Sequence, residues 1–428
     1  MSLIILLIII LLIEVYLVAF KRNVLHPAFW FLAVWTLCIL FTEVDYYHIL
    51  VKISDKAILA VWLGIAGYIV GAFLPVRIVV SKSKSHYVSD FTYRKIFVYI
   101  ALYSSFVVNV ILIALTLLLL RNGTEYGTIR ELYFANGSGY SASGNGFFSS
   151  KVLALFNSLI STPFTYVTSI VLADNLFSKR LSVFFDIIAA IDVILYIVAT
   201  GGRLLILVII VTTFVLMKYY QFSIPQKVLK NIWKIILAIV IVLIAVTIQR
   251  RTADYYKYEK VNDAYAYFNI TIPLLSNWID KIDTMHLHTN GIGFFNGIIQ
   301  LFDTFIFKRV GISNSLIDQF ADLLGMVQNN TIQVYHLHWY NAYVSLFLYF
   351  YADFRYFGVF IGSFIFGFAS KEIYSRVVKC KQQEYLLLYV LIIQASFISF
   401  IRWHFGISTT IVQLIMLMLV VKPIRSYE

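Results

Sequence analysis

The sequence predicts an all-α integral membrane protein with about eleven transmembrane helices. Of its 428 residues, 61% are hydrophobic and only 13% are charged, and the mean hydropathy is +0.83. Globular proteins are about half apolar and about a quarter charged, so this composition excludes an ordinary soluble protein. The 2 cysteines, Cys38 and Cys380, provide neither a disulfide framework nor a Cys-x-x-Cys metal site. Helix packing must therefore hold the fold together.

The spans follow from the length of the apolar runs. A helix needs about 20 apolar residues to cross a hydrocarbon core of about 30 Å, where lipid offers no partner to an unpaired backbone amide. Such runs predict spans at 2–20, 27–42, 57–75, 96–120, 152–173, 183–199, 204–217, 235–249, 355–370, 384–401 and 407–421. No basic residue precedes the first run, so we expect a membrane helix there and not a cleaved signal peptide. The chain is thereby divided into membrane helices in 1–249, an outer region in 250–354 and membrane helices in 355–428.

The net charge of +12 arises from 34 Lys and Arg against 22 Asp and Glu. In a soluble chain this excess would suggest nucleic acid, but here we expect no such partner, because basic residues in short loops mark the cytoplasmic side of a membrane protein. The most basic short loops, such as those with Arg94 and Lys95 or with Arg376 and Lys379, follow every second span. They predict an amino terminus outside and a carboxyl terminus in the cytoplasm.

Two predicted outer segments are too long to be simple connections. Residues 121–151 are rich in Gly, Ser and Asn, and we predict a mobile loop. Residues 250–337 are more apolar, and we predict that they carry helices of their own. The tyrosine-rich stretch 340–352 could be a short span, but a crossing there would place the basic loop 371–381 outside. We therefore predict an interfacial or re-entrant helix with its tyrosine hydroxyls in water.

Arginines are predicted at the outer ends of several spans, namely Arg203, Arg250, Arg251, Arg355 and Arg402. Three of them close a span, where the helix dipole favours a cation and a structural role is sufficient. Arg203 is different, because it opens the span 204–217 directly after Gly201 and Gly202. Amides at a helix amino terminus bind anions and glycines permit close approach, so a bound phosphate would explain this motif. A flexible turn with a snorkelling arginine is the alternative.

Histidines and carboxylates are the candidates for proton transfer. His336 and His338 follow the long outer segment, and histidine titrates near neutral pH, although most surface histidines have no catalytic role. With His286 and His288 they would bind zinc only if all four converged, and we expect no metal. Within the spans, Asp192 is deep enough to pair with an arginine. The common nucleotide-binding and metalloprotease motifs are absent from the sequence.

Three features of the chain occur together: many spans with a large outer loop before the last few, the Gly201-Gly202-Arg203 turn, and a block after the outer loop. The block contains Asn341, Asp353-Phe354, Gly358, Gly362 and Gly367. This pattern resembles the bacterial oligosaccharide repeat-unit polymerases of the Wzy type and, more distantly, the O-antigen ligases. Arg355 stands where that family usually has glycine. The resemblance extends over the whole chain in architecture, but its motifs cover only short segments.

The resemblance implies a GT-C-like glycosyltransferase in the bacterial inner membrane that works without a metal or another cofactor. Its partners would be an undecaprenyl diphosphate-linked oligosaccharide donor, an acceptor of the same kind and membrane lipid, and the resemblance allows for a chain-length regulator protein. An acceptor hydroxyl would attack the anomeric carbon of the donor, and lipid diphosphate would leave. The product would be a surface polysaccharide such as O-antigen or capsule.

The resemblance also implies roles for single residues. His338 would accept the proton of the attacking hydroxyl. Guanidinium groups match phosphate geometry, so the diphosphate would be bound without a metal by residues among Gly201, Gly202, Arg203, Arg250, Arg251, Arg355 and Arg402. Further substrate contacts would come from Arg130, His336, Asn341, Asp353 and His404.

Other functions remain open from the sequence. A flippase or transporter of lipid-linked oligosaccharides would also use outward-facing arginines, but it should line a cavity through the whole membrane. An O-antigen ligase differs only in its acceptor, and a structural membrane scaffold leaves the long outer segment unexplained. Trp278 and Trp339 of that segment could stack on sugar rings or serve as interfacial anchors.

Overall fold

A computed structural model of the chain describes residues 2–20, 23–45, 52–74, 89–134, 147–148, 150–202, 204–222, 263–335 and 338–425. These residues are almost all helical, which confirms the all-α prediction. The predicted span 235–249 lies outside the described residues, as do four predicted site residues, Arg203, Arg250, Arg251 and His336. The side chain of His338 also lies outside the described part of the chain.

The helices of the first half are α1 (Leu3–Val15), α2 (Pro27–Val44), α3 (Asp55–Phe73), α4 (Lys95–Arg121), α5 (Tyr126–Phe134), α6 (Lys151–Ser178), α7 (Val183–Thr200) and α8 (Leu204–Tyr219). Those of the second half are α9 (Asp263–Asn269), α10 (Thr271–Thr284), α11 (Ile292–Phe302), α12 (Ser315–Asn329), α13 (Ser345–Tyr374), α14 (Leu386–Ile398) and α15 (Ser408–Val420). Two antiparallel strand pairs accompany them in the described residues: β1 (Ser89–Tyr93) with β4 (Val421–Arg425), and β2 (Ile332–Tyr335) with β3 (His338–Tyr340).

Several helices have the length and composition of membrane spans. Among the described residues, six helices are long and apolar enough to cross a membrane, namely α2, α3, α4, α6, α7 and α13. Four shorter apolar helices, α1, α8, α14 and α15, coincide with other predicted spans. Large apolar side chains on these helices are exposed, for example Leu12 (65%) and Val183 (72%). Lipid, but not water, accommodates such surfaces, so these are the features of a multi-pass helical membrane protein.

The helix bundle has two ends. At the first, here called the ribbon end, β1 pairs with β4 beside the buried carboxylate of Asp174. Asp174 accepts hydrogen bonds from the hydroxyls of Tyr93 (2.5 Å) and Tyr220 (2.8 Å). Arg180 adds an ion pair with Asp90 at 2.7 Å. These contacts connect the starts and ends of helices that are far apart in the sequence.

Residues 263–340, here called the cap, lie at the opposite end of the bundle. The hydroxyl of Ser276 in α10 accepts a hydrogen bond from the Ser54 amide at the start of α3 (2.9 Å). Asn269 donates to the Phe41 carbonyl near the end of α2 (2.9 Å). The cap therefore rests on helix ends. Its helices agree with the prediction that the long outer segment carries helices of its own.

Helix α13 is broken at Phe354 and Arg355, whose backbone angles are not helical. The break separates a short arm, residues 345–353, from a long arm, residues 356–374. The two arms fold against each other so closely that a Cβ atom at Gly358 would lie 2.2 Å from the Phe350 carbonyl oxygen. The chain reverses its direction here because glycine permits this contact.

The long arm crosses the bundle beside α3. A Cβ atom at Gly67 would lie 2.4 Å from the Phe360 carbonyl oxygen, and one at Gly367 would lie 2.3 Å from that of Tyr68. Small residues on both helices thus allow their backbones to touch, as is common between membrane helices. The end of the long arm reaches the end of α3, where Lys371 donates to the Leu74 carbonyl.

The short arm has both of its ends at the cap end of the bundle. Its first amides, those of Ser345 and Leu346, donate to carbonyls that follow α14, and Asp353 at its other end binds the cap. All of its residues are buried. The prediction of tyrosine hydroxyls in water is wrong here, because the Tyr351 hydroxyl donates to Asp283 (3.0 Å) and Tyr349 is buried. Protein surrounds this helix on all sides.

The predicted mobile loop 121–151 differs from the structure in its first part. Residues Tyr126–Phe134 form α5, in which Ile129 and Tyr133 are buried. They pack in a cluster with Leu112 of α4 and Ala199 of α7. A glycine-rich sequence further along suggested mobility, but the periodic apolar residues of 126–134 favour a helix that covers the ends of α4 and α7.

Candidate anion-binding site at the cap end

Arg402 lies in the turn between α14 and α15, at the cap end of the bundle. Its backbone pairs with that of Ser345 at the start of the short arm. The guanidinium is half-buried, and its Nε atom is shielded from solvent without a hydrogen-bond partner in the described part of the chain. No carboxylate of the described residues forms an ion pair with it. A shielded donor without a partner is unfavourable, and an anionic ligand would supply the missing acceptor.

Three tyrosine hydroxyls lie within electrostatic reach of Arg402. They belong to Tyr166 of α6, Tyr196 of α7 and Tyr349 of the short arm. The Tyr196 hydroxyl is held by Thr162 at the middle of α6 (3.3 Å). Neutral hydroxyls do not balance the charge of Arg402. The Tyr196 hydroxyl already donates to Thr162, whereas Tyr166 and Tyr349 have no side-chain hydrogen bond among the described residues. A cation with neighbouring hydroxyls suits the oxygens of a phosphate group.

His404 is the second unpartnered group of this turn. Its side chain is only 5% exposed, and neither ring nitrogen has a hydrogen-bond partner among the described residues. Burial, together with the charge of Arg402, lowers the pKa of His404 to about 3. The imidazole is therefore neutral at physiological pH and has one N–H to donate. An anion bound beside Arg402 would accept a hydrogen bond from this N–H. It would also reduce the effect of the arginine charge on the pKa of His404.

Gly201 and Gly202 end α7 close to this group. Gly201 has a φ of 60°, in the left-handed region that commonly ends a helix. This backbone conformation is sufficient to explain why the residue is glycine. The Gly202 amide donates to the hydroxyl of Thr200 (3.2 Å) and is not a free donor for an anion. Tyr196 precedes Gly201 by little more than one turn, about 7 Å along the helix, which places the turn in the neighbourhood of Arg402.

Helix α5 adds a second half-buried arginine to the same end of the bundle. The Tyr126 hydroxyl donates to the Val198 carbonyl in the last turn of α7 (2.6 Å). One turn later, the guanidinium of Arg130 lies 5.6 Å from the ring centre of Phe134. Its buried Nε atom has no hydrogen-bond partner among the residues that the structure describes. Arg130 is therefore placed near the end of α7.

Arg355 lies away from Arg402, at the other end of the short arm, which is about 13 Å long. Its Nε atom is 3.5 Å from a carboxylate oxygen of Asp283, and its guanidinium is 5.2 Å from the ring centre of Tyr351. Lys56 lies 2.6 Å from the same carboxylate. Partial burial raises the pKa of Asp283, but hydrogen bonds and charges from these neighbours outweigh it and hold the pKa below its usual value. Arg355 is thus balanced by an anion of the protein and is separate from the Arg402 site.

Asp353 connects the break in α13 to the start of α11. It is 3% exposed, and its Oδ1 atom accepts hydrogen bonds from the Thr289 hydroxyl (2.5 Å) and the amides of Gly291 (2.9 Å) and Gly293 (2.7 Å). Its Oδ2 atom accepts from the Phe294 amide (2.8 Å). These amides belong to the start of α11, so Asp353 caps a helix of the cap, and its predicted substrate contact stays a prediction.

The remaining candidates lie around the β2–β3 hairpin. Asn341 donates to the Gln328 carbonyl and anchors the turn after β3 to the end of α12. His338 is the first residue of β3, seven positions before the short arm begins. His286 and His288 are exposed, and the described residues contain no group of three or more His, Cys, Asp or Glu that could hold a metal ion.

The partners of Asp192 are neutral side chains and not the arginine that the sequence suggested. It accepts hydrogen bonds from Ser105 (2.8 Å) and Asn109 (2.7 Å) of α4, and Asn109 also contacts Thr165 of α6 (2.9 Å). No arginine pairs with Asp192 in the described part of the chain. The network connects three helices in the interior and lies apart from Arg402.

Sequence reasoning missed the tyrosines 166, 196 and 349. Tyr166 and Tyr196 are single tyrosines of their spans, and Tyr349 belongs to the tyrosine-rich stretch 340–352. Tyrosines in such runs are commonly interfacial anchors. Only the packing of three helices brings their hydroxyls to one arginine. Comparison with protein families, with curated proteins and with solved structures gives no match for this chain. Among the described candidates, Arg402 and His404 share one turn, and Arg130 and the Gly201-Gly202 turn lie together near the end of α7. Arg355 and Asp353 bind other parts of the protein.

Proposed function

We propose that this protein is a glycosyltransferase that polymerises undecaprenyl diphosphate-linked oligosaccharide repeat units on the outer face of the bacterial inner membrane, as Wzy-type enzymes do. The observation that carries the proposal is the half-buried Arg402 guanidinium, which has no partner among the described residues and is faced by tyrosine hydroxyls. A lipid diphosphate has its charge next to its apolar chain. A cation at the end of membrane helices is suited to bind it.

In this proposal, the bundle has about eleven spans in a GT-C-like architecture, with the amino terminus and the cap outside. The diphosphate of the donor lies at Arg402, with hydrogen bonds from His404 and the neighbouring tyrosines. Arg130 approaches it near the end of α7, and Arg203 remains a candidate for a further contact. The prenyl chain lies along the apolar helix surfaces. Arg250 and Arg251 remain candidates for further contacts.

The reaction transfers the growing glycan. The acceptor hydroxyl oxygen forms a bond to the anomeric carbon of the donor sugar, and the bond from that carbon to the diphosphate oxygen breaks with its electron pair on the diphosphate. Arg402 stabilises the charge that develops on the leaving group, without reorganisation, because its position is fixed by the Ser345 backbone. The hydroxyl proton passes to a base, for which we propose His338 on β3.

Complementation in a strain that lacks the chain tests this function. A deletion that leaves single repeat units on the surface glycolipid identifies a polymerase. Absence of any repeat unit indicates a flippase, and polymer that is not transferred to lipid A core indicates a ligase. Activity that persists in chelator supports the metal-free mechanism. A glycan gel of the surface polysaccharide provides the measurement.

Variants of Arg402 test the site itself. We expect Arg402→Ala to lower the amount of polymer by about 100-fold, the usual effect of removing one group that stabilises a leaving-group charge. Arg402→Lys should restore part of it, because an ammonium supplies the charge without the bidentate geometry. Arg121→Ala is the matched control, since Arg121 is an exposed arginine at the end of α4. Full polymer in Arg402→Ala would mean that this guanidinium only contacts phospholipid headgroups.

A further inference from the structure

The cap carries a shallow open groove of about 480 Å³. One side is formed by Asn277, Trp278 and Lys281 of α10, and the other by residues 329–332, where α12 ends and β2 begins. The rim is rich in side-chain amides and includes a hydroxyl, from Asn277, Asn329, Asn330 and Thr331. The groove thus differs from the apolar surfaces that dominate the rest of the described structure.

The polar side chains of the rim make no side-chain hydrogen bonds within the described part of the chain. Asn277, Asn329, Asn330 and Thr331 are exposed, and the described residues form no side-chain hydrogen bond with any of them. An amide group offers two donors and an acceptor in one plane. Several uncommitted amides on opposite sides of a groove match the neighbouring hydroxyls of a pyranose ring, each of which both donates and accepts a hydrogen bond.

Trp278 forms the floor of the groove and does not anchor the chain in a membrane boundary. It is 0% exposed, and the ammonium of Lys281 lies 4.8 Å from its ring centre. Lys281 has no carboxylate partner among the described residues, so its ammonium remains a donor at the groove. Neither sequence-based interpretation of Trp278, as an open stacking platform or as an anchor, describes this position.

The groove lies beside the hairpin that carries His338. Ile332 lines the groove and pairs in the β2–β3 sheet with Tyr340, two residues from His338. At about 3.3 Å per residue, the groove and the His338 backbone are about 7 Å apart along the strand. A short stretch of sugar residues bridges this distance. A glycan held in the groove would therefore extend to the proposed base.

We propose that this groove is an oligosaccharide subsite, in which the amides of Asn277, Asn329 and Asn330 bind pyranose rings of the glycan next to the ring that reacts. This inference rests on the proposed function for the identity of the glycan. It adds a site for sugar recognition that is separate from the diphosphate site at Arg402. Binding here holds the polymer between successive additions, so the groove sets polymer length, whereas Arg402 sets the amount of polymer.

Saturation-transfer NMR on the full-length protein in lipid nanodiscs tests the subsite. The probe is the surface polysaccharide of the producing strain, cut to fragments of a few sugar residues. We expect the wild-type protein to bind them and the double variant Asn329→Ala/Asn330→Ala to bind at least 10-fold more weakly. Gln319→Ala removes an exposed amide of α12 outside the groove and should bind like the wild type. Because all three amides are exposed, unchanged thermal unfolding is expected and confirms that the variants fold.

The outcomes separate this inference from the proposed function. Fragments that fail to bind the wild-type protein, or that bind the double variant equally well, overturn the subsite even if Arg402→Ala abolishes polymer. If the double variant loses binding while Arg402→Ala still makes full polymer, the glycan subsite stands and the diphosphate site at Arg402 is wrong. On the glycan gel, the double variant should produce shorter chains in near-normal amount. Chains of unchanged length overturn the role of the groove in polymer length.

Discussion

Arg355 occupies a backbone conformation with φ 54° and ψ −137°, which glycine adopts far more easily than arginine. A residue with a side chain is strained there by about 1–3 kcal/mol. Glycine at this position would relieve the strain. In this chain the guanidinium offsets part of the strain through Asp283 and the ring of Tyr351.

Variants of Arg355 should separate the strain from the ion pair. Arg355→Ala keeps the strained backbone and loses both contacts, whereas Arg355→Gly loses the contacts and relieves the strain. We therefore expect the Gly variant to be more stable than the Ala variant by about 1–2 kcal/mol, as measured by thermal unfolding in detergent. Because Arg355 lies away from Arg402, the Gly variant should still make polymer.

The pH dependence of this effect follows from Asp283. Its lowered pKa means that its ion pairs contribute stability above the usual carboxylate range and lose it as the pH falls through the lowered value. The difference between the Arg355 variants and the wild type should thus be constant from about pH 5 to 8. A difference that changes in this window, or loss of polymer in Arg355→Gly, contradicts the assignment of Arg355 to a structural ion pair.

The broken helix α13 is the element that positions the site. Its short arm supplies Tyr349 and holds the Arg402 backbone through Ser345, while its long arm packs along α3. The sequence predicts an interfacial or re-entrant helix at 340–352 and a separate span at 355–370, but it does not reveal how closely the two pack at Phe354. Reversal is possible because Gly358 lets the two arms touch, and because Asp353 attaches the break to the start of α11.

Substitution of Gly358 should therefore damage this element. A Cβ atom there would lie 2.2 Å from a backbone oxygen, which cannot move aside like a side chain, so we expect Gly358→Ala to destabilise the protein by about 3 kcal/mol. Gly325→Ala is the matched control, because it adds a methyl group to a helix with no atom within 4 Å. It should stabilise by about 0.5–1 kcal/mol. Equal melting temperatures of the two variants would refute the close packing of the two arms.

At the scale of the whole molecule, the two ends of the helix bundle differ in structure. The ribbon end joins distant helix ends by strand pairing and by the buried Asp174, whereas the cap end carries the groove and the unpartnered Arg402. The positive charge that first suggested nucleic acid is divided between them. Short basic loops at the ribbon end predict that it faces the cytoplasm, and the site at the cap end then faces outward.

The native cysteines allow this orientation to be measured. Cys380 is exposed near the ribbon end and Cys38 is buried, so a membrane-impermeant maleimide has one accessible native target among the described residues. We expect labelling of Cys380 in inside-out vesicles and none in intact spheroplasts. Gln319→Cys in a Cys380→Ser background, at the cap, should show the opposite pattern. Labelling of Cys380 from outside would reverse the predicted orientation and place the Arg402 site on the cytoplasmic face.

The sequence by itself determined the helical membrane class and most helix positions. Hydropathy and helix ends are local properties, and lipid requires each span to satisfy its own backbone hydrogen bonds, so short windows are sufficient. The roles of Asp353 and Arg355 were harder to predict, because a charged residue beside a span is equally suited to a ligand or to another part of the protein.

Only the tertiary structure decided which charged groups already have partners. It assigned Asp353 to the amides of α11 and Arg355 to Asp283, and it left Arg402 among hydroxyls from three helices. These pairings join residues that are 50 to 240 positions apart, so no pattern along the chain contains them (about 60 from Gly293 to Asp353, for example). A buried charge must be balanced by whichever group folding brings near it, and that group is determined by the packing of the helices.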